Sequence, residues 1–203
     1  TCYTKIIDYS FRLWRENDMP EFIIIAGING TGKSSLRGVL GEYKNLGYII
    51  DPDQIAREHD ADIIAAGKIA VQTIDDCIHR EITFTQETTL AETRIVKEMQ
   101  QAKELGFKIS MFYVGLESLG ESLSRIANRV QKGGHGIPEE HVIRGYEKRI
   151  SDFQKCVPYC DEIVFYDNQN GFIKVAEYRK ENGFQFTNGH RPKWLEPLRA
   201  TLM

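Results

Sequence analysis

Phe22–Ala26 is a continuous apolar run, FIIIA, the pattern of a strand buried on both faces of a parallel sheet. The period then changes: Leu36, Val39, Leu40 and Tyr43 fall at i, i+3, i+4 and i+7, which predicts a helix soon after the strand. The alternation continues along the chain. Tyr48–Ile50 reads as a second strand, and Asp62–Arg80 as a long helix with Ile63, Ile64, Ile69, Ala70, Ile74 and Ile78 on one broad side. Ile82–Thr85 starts a third strand running toward Glu87-Thr88-Thr89, and Ile95, Met99 and Ala102 line a helix that Gly106 stops. Lys108–Leu116 is a fourth strand, and Glu162–Tyr166 a fifth that ends at Asp167-Asn168. Between them lie two helices, one packing Leu119, Leu123, Ile126 and Val130, the other packing Ile143, Tyr146, Ile150 and Phe153. Helices between successive strands imply right-handed crossovers, so the pattern predicts one three-layer α/β/α sandwich with a mainly parallel five-stranded sheet. Ile6, Ile7, Phe11 and Trp14 predict an amphipathic helix over residues 1–20 that covers the sheet. Residues 169–203 predict a hairpin around Asn182-Gly183, with Trp194, Leu195 and Leu198 docking back on the core.

The loop after the first strand carries the strongest chemistry. Gly27-Ile28-Asn29-Gly30-Thr31-Gly32-Lys33-Ser34 fits G-x-x-x-x-G-K-[ST] at every position and lies between a strand and a helix, the context that motif requires. Glycines allow positive φ and close approach to a ligand, so consecutive N–H groups can converge on one anion, helped by the positive end of the helix that follows. Gly27 to Ser35 is therefore read as a nucleotide-binding loop of P-loop NTPase type. Lys33 reaches the β- and γ-phosphates of ATP, and the Ser34 hydroxyl ligates Mg²⁺.

Three further groups gain meaning beside that loop. Asp51-Pro52-Asp53 ends the second strand on the edge where open α/β sheets bind ligands; each carboxylate suits either catalysis or a helix cap. Arg125 and Arg129 are four apart and share one helix face, which serves equally as a solvated face or a phosphate contact. Gly133-Gly134-His135-Gly136-Ile137-Pro138 is a hinge between that helix and the next, which displays Arg144 and Lys148. Two arginine-bearing helices around a glycine hinge have the form of a lid over residues 117–150.

Composition narrows the classes. The 203 residues are 41% hydrophobic and 27% charged, ordinary for one soluble globular domain. A formal charge of −3 and an isoelectric point near 6.0 argue against a nucleic-acid footprint. Cys2, Cys77, Cys156 and Cys160 form no metal-ligand spacing and read as buried or idle thiols in a reducing compartment; no run is long enough to span a membrane. A cytoplasmic protein is expected.

Five stretches in order, GINGTGKSS, DPDQIA at 51–56, QETTL at 86–90, RIANRVQKGGHGIPEEHVIRGYEKR at 125–149 and FYDN at 165–168, together resemble the zeta toxin family of P-loop kinases. The resemblance spans roughly residues 21–168, and the R-x-x-x-R-V-x-x-G-G-H-x-[IV]-P stretch is its most specific part. It implies an ATP-dependent phosphotransferase acting on a hydroxyl of a UDP-activated N-acetyl sugar, chiefly UDP-N-acetylglucosamine, and, for toxin members, a helical antitoxin partner. By position it implies Asp53 as catalytic base, Lys33 and Ser34 as phosphate and metal residues, and Glu87 and Thr89 as part of the substrate and metal region, with Arg129 as the lid arginine. Thr88, Arg125 and Arg144 are further substrate-side candidates. The family places an arginine immediately before the aromatic aligned with Tyr146, where this chain has Gly145, with Arg144 and Lys148 nearby. Two other readings share the ATP residues: a kinase for another metabolite or a nucleoside, and a nucleotide-dependent switch or ATPase that acts by binding a protein.

Overall fold

A computed structural model describes residues 19–58, 63–91, 93–134 and 136–202, with the side chains of all these residues except Asp53, Arg57, Glu58 and Ile63. The expected N-terminal helix and His135 lie outside the described residues. Five strands, β1 (Glu21–Ala26), β2 (Tyr48–Ile50), β3 (Phe84–Thr88), β4 (Lys108–Gly115) and β5 (Glu162–Asp167), are all parallel. The helices are α1 (Lys33–Gly41), α2 (Pro52–Glu58), α3 (Ile63–His79), α4 (Thr93–Glu104), α5 (Leu119–Gln131) and α6 (Glu139–Cys156), all but the short α2 standing where the alternation predicts them. A short α7 (Glu196–Arg199) closes the chain.

Among the described residues the sheet has seven strands rather than the expected five. The hairpin β6 (Ile173–Arg179) and β7 (Gly183–Phe186) adds antiparallel to β5, giving the order β2-β3-β1-β4-β5-β6-β7. The reason is the ladder itself: β5 would otherwise present a row of unpaired N–H and C=O groups. Tyr178, Phe184 and Phe186 also gain apolar neighbours in the core there.

β1 is the centre of the sheet and is buried on both sides. Phe22, Ile24 and Ala26 face the larger core under α3, α4 and α6, while Ile23 and Ile25 face the smaller one with Leu36 and Leu40 of α1. Val39 and Tyr43, expected on the buried face of α1, are 40% and 66% exposed. The helix ends at Gly41, so only Leu36 and Leu40, one turn apart, reach the sheet. Val130 is likewise 45% exposed at the far end of α5, where that helix has passed the edge of the core.

Order places the crevice. The chain runs from β1 outward to β2, back to β3, then across β1 to β4, so the direction of winding reverses beside β1. In open α/β sheets ligands lie at the carboxyl ends of the strands at such a reversal. Register brings the relevant ends level, with Ile25 opposite Glu87, and Ala26 opposite both Thr88 and Tyr113.

Candidate active site

The glycine loop is fixed from three sides. Thr31, fully buried, donates its hydroxyl to Ile28 O at 2.9 Å. Ser122 Oγ of α5 donates to Asn29 O at 2.6 Å, and Asn168 Nδ2, just beyond β5, donates to Thr31 O at 2.8 Å. Gly30 and Gly32 sit at φ of +78° and +92°, where a side chain is strained. Space is lacking as well: a Cβ at Gly30 would lie 2.8 Å from Ser122 O, and one at Gly32 2.6 Å from Asn168 Nδ2.

α1 begins inside this cradle. Its N-cap is Gly32, with no side-chain cap and no acidic residue in the first turn, so its leading amides and dipole favour an anion. Lys33 Nζ donates to Gly27 O at 2.9 Å and Ile28 O at 3.2 Å, which lays the ammonium across the loop's own carbonyl oxygens. A phosphate entering the cradle would exchange these neutral acceptors for charged ones.

One residue on, Ser34 Oγ donates to Glu87 Oε2 at 2.8 Å. The other oxygen of Glu87 lies 3.0 Å from Arg37 Nη1, an ion pair without hydrogen-bond alignment. The same nitrogen of Arg37 donates to Asp51 Oδ2 at 3.2 Å. Glu87 is only 10% exposed. Burial pushes its carboxyl above the ordinary range, Asp51 adds to that, and the Ser34 hydroxyl with Arg37 and Lys33 pulls it back.

Asp51 also resolves one of the two uses its sequence position allowed. Its Oδ1 accepts from Gln54 N at 3.3 Å and its carbonyl from Ile55 N at 3.0 Å, so it caps α2, with Pro52 as the first helical residue. Asp53 stands in the first turn of α2, two residues beyond that cap. Thr88 Oγ1 accepts from Leu90 N at 2.9 Å, holding Leu90 at a φ of +65° and turning the chain away from the end of β3; Thr89 is half-buried beside it.

α5 and α6 pack on each other, and the two arginines of α5 differ in use. Arg125 Nη2 is engaged by Glu121 Oε1 at 2.7 Å, Asn168 O at 2.6 Å and Gln169 O at 3.2 Å, which ties α5 to the loop after β5. Arg129, one turn further on, is exposed, and its stem packs where a Cβ at Gly134 would stand. Arg125, Asn128, Arg129, Lys132 and Gly134 line an open groove of about 380 Å³ that carries positive charge and no acid. Arg144 is exposed on α6, away from this lining.

Sequence reasoning gave no part to Arg37, Ser122 or Asn168. Arg37 carried a readable signal, since it stands four residues after Lys33 and three after Ser34 on one helix face. The other two act from elements far along the chain. Asn168 is held in place from below: Asp167, 2% exposed, accepts from Trp194 Nε1 at 2.7 Å and lies 3.2 Å from His190 Nε2.

The described cysteines take no part. Cys77, Cys156 and Cys160 are buried, and burial pushes the first two thiols up to about 12 and the third well up. Cys156 ends α6, and Cys160 follows the 3₁₀ turn after it. Among the described residues no helix is long and apolar enough to cross a membrane, and no three His, Cys, Asp or Glu residues gather as a metal site.

A parallel β2-β3-β1-β4-β5 core with this strand, glycine loop and helix at its centre is the fold of the zeta-toxin-like P-loop kinases. A chain of the PezAT chromosomal toxin–antitoxin system of Streptococcus pneumoniae superposes with a TM-score of 0.64 at 16% identity, covering 94% of this chain and 88% of that one. The AvrRxo1-ORF1:ORF2 complex with ATP gives 0.63 at 16% identity, over 92% of this chain and 65% of its match. No protein-family model matches the sequence. An uncharacterized protein of Haemophilus influenzae is 36% identical over 126 residues, 59% of this chain and 88% of that protein, and the chain belongs to the same family as it.

Proposed function

We propose that the protein is a kinase that transfers the γ-phosphate of ATP to a hydroxyl of a small molecule, a UDP-linked N-acetyl amino sugar such as UDP-N-acetylglucosamine. The observation that carries the reading is the Ser34–Glu87 hydrogen bond of 2.8 Å beside the Lys33 cradle. It puts a hydroxyl and a buried carboxylate, both hard oxygen donors, next to the point where the β- and γ-phosphates would lie. These donors fit Mg²⁺, which takes one or two protein oxygens and otherwise keeps water or phosphate. Once bound, Mg²⁺ would neutralise charge on the phosphates.

The roles of the chain's own groups follow. Gly27–Ser35 grips the triphosphate, and Lys33 leaves the loop carbonyls to neutralise the transferring phosphoryl group. Arg129, on the face of α5 that lines the basic groove, supplies a further guanidinium when α5 and α6 close; such an arginine is worth on the order of 10³-fold in rate. Asp53 accepts the proton of the acceptor hydroxyl, an assignment resting on the resemblance and on its place in the first turn of α2. Thr88, Thr89 and Arg144 are proposed on the acceptor side, while Arg125, held by Glu121 and the backbone after β5, serves as the tie between α5 and that loop. A protein partner of antitoxin type and a cytoplasmic location belong to the same proposal, supported by the PezAT likeness and by the buried, unpaired thiols.

Incubation with ATP, Mg²⁺ and a panel of UDP-sugars and nucleosides, read by mass spectrometry, tests it. A UDP-N-acetyl amino sugar carrying one added phosphate is the expected product. A phosphorylated nucleoside alone would move the acceptor class, and ATP hydrolysis with no phosphorylated acceptor would overturn the kinase reading.

A further inference from the structure

We infer that Arg37 is a positioning residue that holds the metal side and the acceptor side of the site in register through one guanidinium nitrogen. Nη1 lies 3.0 Å from Glu87 Oε1 and 3.2 Å from Asp51 Oδ2. Each carboxylate is committed through its other oxygen. Glu87 Oε2 receives the Ser34 hydroxyl, and Asp51 Oδ1 caps α2, the helix whose first turn contains Asp53. Arg37 itself stands on α1, one turn after Lys33 and Ser34. A rigid helix thus carries the phosphate lysine, the metal hydroxyl and the cation that orients both carboxylates.

The energetics favour a positioning role over a surface ion pair. Arg37, Asp51 and Glu87 are 20%, 14% and 10% exposed, so water screens these charges poorly. With the guanidinium gone, two carboxylates that both approach one nitrogen would face each other in a mostly dry site. Removing one partner of such a group costs far more than the pair contributes, because a charge is left buried without compensation. The cheapest relief is rotation of Glu87 away from Asp51, which breaks its aim at Ser34. The Arg37–Glu87 contact lacks hydrogen-bond alignment, so its effect is that of a charge held where the guanidinium reaches. A lysine ammonium, on a stem one bond shorter, stands farther from both carboxylates.

The roles of the two sides rest on the phosphoryl-transfer reading, whereas the tether does not depend on the acceptor. The test uses Arg37→Met, which keeps the stem and removes the charge, and Arg37→Lys, which keeps a charge but lacks the planar fork. Mn²⁺ binding in the presence of ADP is followed by electron paramagnetic resonance, and ADP binding without metal by calorimetry. Arg37→Met is expected to weaken Mn²⁺ binding by about 10–100-fold, the range for losing a group that orients a metal ligand. Metal-free ADP affinity should stay within about twofold, since the glycine cradle is untouched, and Arg37→Lys should fall between Met and wild type. If the Met variant does not fold, the Lys variant decides alone. Wild-type Mn²⁺ affinity in either folded variant overturns the inference. If the wild type phosphorylates no acceptor, the kinase reading fails while the Mn²⁺ measurements still judge the tether.

Discussion

Ser34 Oγ and Glu87 Oε2 meet at 2.8 Å across 53 residues of chain, joining the first turn of α1 to the carboxyl end of β3. The parallel β1–β3 pairing makes this contact possible, because its register sets Glu87 level with Ile25 just before the glycine loop. A hydrogen bond to a buried carboxylate in that position couples two parts of the site that local sequence keeps separate. Ser34→Ala and Glu87→Gln are each expected to reduce Mg²⁺-dependent ATP binding about tenfold, as for a hydrogen bond to a charged group. The double variant should be little worse than either single one, because the two groups act as a unit. Calorimetric titration with and without Mg²⁺ measures it; strictly additive losses would contradict the coupling.

Lys33 and Asp53 should separate binding from chemistry. Lys33→Ala removes the ammonium now held on Gly27 O and Ile28 O and should weaken ATP binding as well as turnover. Asp53→Asn should leave ATP affinity within about twofold and lower transfer by about 10²–10⁴-fold, the range for a general base. Fluorescent-nucleotide titration and a coupled kinase assay give the two numbers.

Gly115 ends β4 directly beneath Trp194, and a Cβ there would lie 2.2 Å from the indole. Gly115→Ala must displace the ring that donates to Asp167 and supports the Asn168 side of the glycine loop. Overpacking of this kind costs about 1–3 kcal/mol, which for a chain of this size lowers Tm by several degrees. Thermal unfolding followed by tryptophan fluorescence should show both the lower Tm and an altered native signal.

Glu98 on α4 is 2% exposed; Arg94 Nε donates to its Oε1 at 2.7 Å, while among the described residues its Oε2 and Gln86 Oε1 lack donors. Burial raises its carboxyl above the reference value of 4.5 despite the lowering pull of Arg94. The folded protein therefore holds this proton more tightly than the unfolded chain. Glu98 costs no stability below that value, costs progressively more as pH rises through its raised folded value, and is constant above it. Glu98→Gln removes that dependence. The variant's Tm minus the wild type's should rise as pH climbs from about 4.5 through the raised folded value and then level off, read by calorimetry across the range.

Much of this molecule is written locally. The run FIIIA, the glycine spacing that follows and the alternation of periods announce a buried parallel strand, a glycine loop opening a helix and the five-stranded parallel core. The Asp51-Pro52 pair already had the form of a helix start, and the structure uses it as one. The hairpin was legible as a hairpin but not as an extension of the sheet, since joining β5 depends on a free edge that only the assembled sheet possesses.

The sequence by itself determined the glycine loop, because its form depends on neighbours within eight residues of chain: glycines for positive φ, a lysine, a hydroxyl and a helix start. Tertiary structure alone decided what that loop faces. Strand order set Glu87 against Ser34, and Arg37 between Glu87 and Asp51. It also spent Arg125 on the backbone after β5 and left Arg129 in the basic groove. Such partners are fixed by register and crossover, and charges on separate elements leave no periodic trace in one dimension by which to find each other.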